Sequence, residues 1–112
     1  MTDDARVYSA LREATGLPGT KYAWPLGSAP PLPWFVYYRA RGGEVHADNT
    51  NYHLLPRYVA ELYLAENVPE TVDAFEEAVR SLGTFTRRDE WLEGEGCMMH
   101  RFAFTLLPQR EE

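Results

Sequence analysis

The most constraining feature of this sequence is a change of hydrophobic period between residues 57 and 82. From Arg57 to Glu66 the pattern has a period of two, which predicts a β-strand with two distinct faces. The face predicted to meet a core carries Tyr58, Ala60, Leu62 and Leu64. The opposite face carries Arg57, Val59, Glu61, Tyr63 and Ala65, a mixture that favours contact with another chain over full solvation.

From Pro69 onward the period becomes that of a helix. Apolar residues recur three and four positions apart, at Val72, Phe75, Val79 and Leu82, and Gly83 then provides a stop signal. Asn67 and Glu70 have the spacing of a capping box, with Pro69 tolerated in the first turn. Strand and helix are therefore expected to be joined by one short link.

The rest of the chain supplies one more helix and further strands. Thr2 or Asp3 is expected to cap a first helix that ends at Gly16. Strands are predicted over residues 34–41, 44–48, 84–92 and 97–107, with Gly42-Gly43 as a hairpin turn between the first two. Strands cluster instead of alternating with helices, so we expect a single α+β domain over residues 1–112, with a mainly antiparallel sheet of four to five strands and both helices on one face. Residues 109–112 are expected to fray.

A proline-rich segment separates the first helix from the first strand. Residues 17–33 contain five of the eight prolines, which predicts an extended loop without regular structure. Trp24 lies in this loop. It either pins the loop to the core or contacts a partner, and both interpretations fit a large amphipathic side chain.

Composition limits the cellular setting and the partners. The chain has 45% hydrophobic residues and only one cysteine, Cys97, which indicates a globular protein made in a reducing compartment. No apolar run is long enough for a membrane span, so a soluble, cytoplasmically made protein is expected. The formal net charge of −6 disfavours tight binding to a nucleic-acid backbone.

Sequence motifs for catalysis are weak, and we expect neither an enzyme nor a cofactor. His46, Asp48 and His53 are the only candidate metal group, but their spacing matches no strong metal-binding pattern. His100 lies on an apolar strand face, which is more typical of a core histidine than of a catalytic base. Cys97 is followed by two methionines and shows no feature that would activate a thiol.

A resemblance extends this interpretation. The segment Ala47-Asp48-Asn49, Tyr52, and residues 56–63 (PRYVAELY), followed by an acidic helix and the strands around Trp91 and Phe102, resembles the tail terminators of long-tailed bacteriophages and prophages. The resemblance spans about residues 34–107 and does not include the proline-rich loop. It implies a homohexameric ring that caps the tail tube, joins it to the head connector and resides in the neck of the virion. DNA would only pass through the lumen of such a ring.

A ring needs two complementary surfaces on each subunit. The residues expected to provide these surfaces combine aromatic groups with charges of both signs. The alternative is that they are ordinary exposed strand positions. They are Tyr37, Arg39, Arg41, Arg57, Glu61, Tyr63, Arg87 and Asp89, with Trp24 added from the loop. The alternatives are a head-completion or stopper protein of the same neck and, more distantly, a small enzyme or ligand-binding protein built on His46, Asp48 and His53.

Overall fold

A computed structural model describes residues 1–40 and 55–108 of the chain. The elements are α1 (Asp3–Thr15), β1 (Gly19–Lys21), β2 (Trp34–Arg39), β3 (Arg57–Leu64), α2 (Pro69–Leu82), β4 (Phe85–Leu92) and β5 (Cys97–Thr105). The predicted Gly42-Gly43 hairpin, the strand 44–48, the candidate metal group and the tail 109–112 lie outside the described residues.

The five strands form one sheet in the order β1-β2-β3-β5-β4. The pairs β2–β3, β3–β5 and β4–β5 are antiparallel. The α+β class and the mainly antiparallel sheet are confirmed. The sheet is nevertheless mixed, because β1 pairs with β2 in parallel, with Gly19 opposite Phe35.

The strand β1 corrects the prediction for the proline-rich segment. Residues 17–33 were expected to contain no regular element, yet Gly19–Lys21 forms an edge strand. Gly19 permits this pairing because a Cβ at that position would lie 2.1 Å from the Phe35 ring. Three residues are too few for a recognisable alternation of apolar and polar side chains, so the sequence pattern could not indicate this strand.

Both helices pack on one face of the sheet, as predicted. The Tyr8 ring of α1 lies 6.0 Å from that of Phe35, and the Phe75 ring of α2 lies 5.8 Å from Phe35 and 5.5 Å from Phe102. The predicted core face of β3 is confirmed, since Tyr58, Ala60, Leu62 and Leu64 are all at most 2% exposed. Burial of each of the larger side chains, Tyr58, Leu62 and Leu64, stabilises the fold by about 1.5–3 kcal/mol.

The two helices begin differently. Thr2 caps α1 as predicted, because its hydroxyl accepts a hydrogen bond from the backbone N–H of Ala5 at 3.1 Å. The capping box predicted for α2 is wrong. The N-cap residue is Val68, whose side chain makes no capping hydrogen bond, because the helix starts one residue later than the Asn67–Glu70 spacing requires.

Candidate interaction surface

No helix of the described part of the chain covers the face of the sheet opposite α1 and α2, although Val36, Val59 and Met99 in its centre are at most 8% exposed. We call this face the open face. Strand register aligns residues of β2, β3, β5 and β4 in rows across this face, and each of the two central rows contains four residues. One row contains Val36, Glu61, Arg101 and Arg88, and the next contains Trp34, Tyr63, Met99 and Glu90.

An aromatic cluster occupies one end of the open face. The Trp34 ring lies 4.7 Å from that of Tyr63 and 5.8 Å from that of Trp24, which approaches edge-on from the loop. Trp24 therefore packs against the sheet, and its buried indole Nε1 has no hydrogen-bond partner among the described residues. Such an unpaired buried donor is costly. A cavity of about 440 Å³ adjoins the cluster and is lined by Leu32, Trp34, Tyr63, Leu92, Glu95 and Cys97.

Charged groups lie beside these aromatic rings. The Tyr63 hydroxyl donates a hydrogen bond to Glu61 at 2.8 Å, and the Arg101 guanidinium lies 3.8 Å from the same carboxylate. Burial, followed by the bond to Glu61, raises the pKa of Tyr63 well above its usual range, so this phenol remains neutral. The open face thus combines rigid aromatic groups with charges of both signs, as protein interfaces commonly do.

The predicted interface residues do not share one surface. Arg57, Glu61 and Tyr63 lie on the open face, and Trp24 packs beside them. Tyr37 and Arg39 lie on the helix face, where Tyr37 is only 7% exposed and its ring is 6.1 Å from that of Tyr8. Tyr37 is therefore a core residue and offers no surface, whereas Arg39 is exposed. Arg41 lies outside the described residues.

Arg87 and Asp89 also lie on the helix face, where they form a polar network. Arg87 contacts Asp89 and Glu76, each at 2.9 Å, and His100 Nδ1 lies 2.9 Å from the same Asp89 oxygen. The hydrogen bond from Arg87 makes the largest contribution to lowering the pKa of Asp89, and the hydrogen bond with His100 lowers it further. His100 is 8% exposed and has this carboxylate as a partner, which confirms the prediction of a satisfied core histidine.

A small cavity adjoins this network. It has a volume of about 160 Å³ and is lined by Leu64, Ala65, Glu66, Asn67, Trp91, Met98 and His100. Within residues 1–40 and 55–108, no group of three or more histidine, cysteine or carboxylate side chains is arranged to hold a metal ion. Cys97 is buried, and burial raises the pKa of its thiol, as expected for a cysteine that serves packing.

Sequence reasoning missed several residues of the open face. Trp34, Val36 and Tyr38 share it by the two-residue period of β2, but Phe35 and Tyr37 on the other side are equally apolar, so alternation alone could not assign the faces. Arg88, Glu90 and Arg101 were also missed. Their signal is strand register, which depends on contacts distant in sequence.

No family model matches the chain, and no curated protein matches it in sequence. In the ranges that the structure describes, no helix is long and apolar enough to cross a membrane.

Proposed function

We propose that this chain is a structural subunit that assembles with itself into a ring, and that the ring is the tail terminator of a long-tailed bacteriophage or prophage. The observation that carries the assembly is the open face. It places Trp34, Tyr38 and Tyr63 beside Arg57, Glu61 and Arg101 on neighbouring strands of the sheet. The assignment to a phage tail rests on the sequence resemblance over residues 34–107.

The charge of the chain supports passage of DNA through such a ring. Six copies, each with a net charge of −6, carry six times −6, or −36. An acidic lumen would repel the phosphate backbone, so DNA would pass without adhering. In this proposal the partners are further copies of the chain, the major tail-tube protein and the head connector, and the protein resides in the neck of the virion.

The first test is the mass of the purified protein in solution, measured by light scattering with and without the tail-tube protein of the same phage, together with negative-stain images. A ring of about six subunits on the tube ends is the expected result. Failure to bind tube ends, with binding to the head connector instead, would replace the terminator by a stopper protein. Binding to neither would overturn the neck assignment.

The open face is tested by the substitution Arg57→Glu. Arg57 is half-buried on this face, and reversing its charge is expected to weaken ring assembly on the tube about tenfold while the monomer remains folded. The matched control is Arg12→Glu, the same charge change at an exposed position of α1. Equal assembly of the two variants would remove the open face from the ring contact.

A further inference from the structure

The outer edge of the sheet is formed by β4, and among the described residues no strand pairs with that edge. Every residue of the strand from Thr86 to Trp91 is exposed. The backbone of Thr84 bonds inward, because Thr105 N–H donates to the Thr84 carbonyl at 3.1 Å. Antiparallel pairing alternates inward and outward bonding, so Phe85, Arg87, Asp89 and Trp91 direct their N–H and C=O groups away from the sheet.

An unpaired edge of this length is a template for another strand. Many proteins protect such edges with charges, and the centre of β4 reads Arg87-Arg88-Asp89-Glu90. These charges discourage pairing with an arbitrary apolar strand. Arg88 and Glu90, however, lie two residues apart on the same face and carry opposite charges, so an antiparallel copy of the strand can place each opposite the other.

We propose that β4 pairs antiparallel with β4 of a second copy of this chain, joining two five-stranded sheets across a two-fold axis at Asp89. A two-fold axis perpendicular to the sheet keeps each face on the same side, so only residues of the same face can lie opposite one another. The outward-bonding residues must also pair with one another. An axis at Asp89 meets both conditions.

This register matches opposite charges on the open face. Arg88 lies opposite Glu90 of the partner subunit, and Glu90 lies opposite the partner's Arg88. Within the described residues neither side chain forms an ion pair inside its own subunit, whereas Arg88 faces Arg101 across β4–β5. Cross-strand pairs of opposite charge stabilise a sheet, and like charges directly opposite destabilise it. The partner's Glu90 would therefore supply Arg88 with an opposite charge that the described residues of its own subunit do not supply.

On the helix face, Arg87 lies opposite Trp91 of the partner subunit. Trp91 is 52% exposed, an unusual state for a tryptophan, and a guanidinium stacked on its ring would cover it. The two Asp89 residues meet at the axis, but each is already paired with Arg87 and His100 of its own subunit at 2.9 Å.

The neighbouring register is less favourable. With the axis at Arg88, two Arg88 side chains would lie opposite each other, and each would also face Arg101 of its own sheet. Four guanidinium groups would then form one row on the open face. That register also sets Arg87 opposite the partner's Asp89, but both groups are already ion-paired within their own subunit. The axis at Asp89 is favoured because it gives opposite charges to Arg88 and Glu90 and avoids the row of four guanidinium groups.

The pairing is tested by charge reversal and charge exchange. In sedimentation experiments across a range of concentrations, the wild type is expected to form a dimer of twice 12.9 kDa. Arg88→Glu and Glu90→Arg should each raise the dimer dissociation constant about tenfold, because each creates two like-charge pairs. The double variant Arg88→Glu with Glu90→Arg should return it close to the wild-type value. Arg12→Glu is the control for the charge change alone.

A wild type that stays monomeric throughout the range would overturn the proposal. So would a dimer that is indifferent to both single reversals, or one that the double variant fails to restore. Far-ultraviolet circular dichroism of every variant establishes that the fold is retained. The pairing does not depend on the ring, since a two-fold contact closes on itself. A dimer that responds to the charge exchange, together with no binding to tube ends, would refute the ring alone, and a ring with no β4 dimer would refute the pairing alone.

Discussion

Gly83 follows the end of α2 and lies against Thr105 at the end of β5. Its N–H donates to the Val79 carbonyl at 3.1 Å, and its φ of 167° is extended backbone that any residue adopts. The requirement for glycine is instead one of space. A Cβ at this position would lie 1.8 Å from the carbonyl oxygen of Thr105, and a backbone atom of a paired strand cannot move away easily.

We therefore expect Gly83→Ala to lower the free energy of unfolding by about 3 kcal/mol, through overpacking against the backbone. Urea denaturation monitored by circular dichroism measures the change. Gly94→Ala is the matched control, since a Cβ there would meet nothing within 4 Å. Equal stability of the two variants would show that the contact at Gly83 relaxes freely.

For single residues, the sequence predicted whether a side chain is buried better than it predicted which face of the sheet the side chain occupies. The alternation in β3 assigned its core residues correctly because its other face contains Arg57 and Glu61. In β2 the residues from Trp34 to Tyr38 are all apolar or aromatic, so Tyr37 was assigned to a surface although it packs under α1. Only tertiary contacts distinguish two faces of similar polarity.

Among the elements, α2 is held mainly by its apolar face and lacks a side chain that caps its first turn. Its residues Val72, Phe75, Ala78, Val79 and Leu82 are buried. The sequence predicted this helix because burial at a period of 3.6 is a strong signal. It mispredicted the cap, since a shift of one residue in the helix start removes Asn67 from the capping position.

Val68→Thr is expected to supply the missing cap. Threonine has nearly the shape of valine, and its hydroxyl can accept a hydrogen bond from the N–H of Glu70 or Thr71, which should raise the free energy of unfolding by about 0.5–1 kcal/mol. Thermal unfolding measures the effect as a rise in the midpoint of a few degrees.

The reverse exchange at α1 is the control for Val68→Thr. Thr2→Val removes the hydroxyl that accepts from Ala5 N–H and should destabilise the protein by about 1 kcal/mol. A decrease in stability for both variants would indicate that burial of Val68, which is half-buried, outweighs the cap.

Across the whole molecule, one polar contact joins α1 to both β1 and β3. The Asp4 carboxylate accepts from Lys21 at 2.6 Å and from the hydroxyl of Tyr58. The bond from Lys21, followed by that from Tyr58, lowers the pKa of Asp4 below its usual 3.8. Three elements distant in sequence are thereby joined at one carboxylate, which no local pattern could predict.

A lowered carboxyl pKa in the folded state contributes stability that is fully present above the unfolded value of 3.8 and is lost as the pH falls through the folded pKa. Asp4→Asn should therefore destabilise the protein by about 1 kcal/mol at neutral pH, a figure reduced for partial exposure of the pair. Its difference from the wild type should shrink below pH 3.8.

Urea denaturation at a series of pH values measures the effect of Asp4→Asn. The control is Asp3→Asn, in the same first turn, whose carboxylate contacts only Arg6, at 3.8 Å, among the described residues. A difference for Asp4→Asn that stays constant down to acid pH would show that the carboxylate makes no ionic contribution.

The strand order places β5 between β3 and β4, although β5 comes after both in the chain. While the chain emerges from a ribosome, β3 lacks one neighbour and β4 lacks its only neighbour in the described sheet until Cys97–Thr105 appears. Two aromatic residues of the core, Phe102 and Phe104, become available only with that strand. The sheet therefore cannot be completed progressively from the beginning of the chain, and edges of β3 and β4 remain unpaired until β5 is available. Strand edges that stay unpaired favour association between chains, so aggregation during folding is expected to involve β3 and β4 before β5 has paired with them.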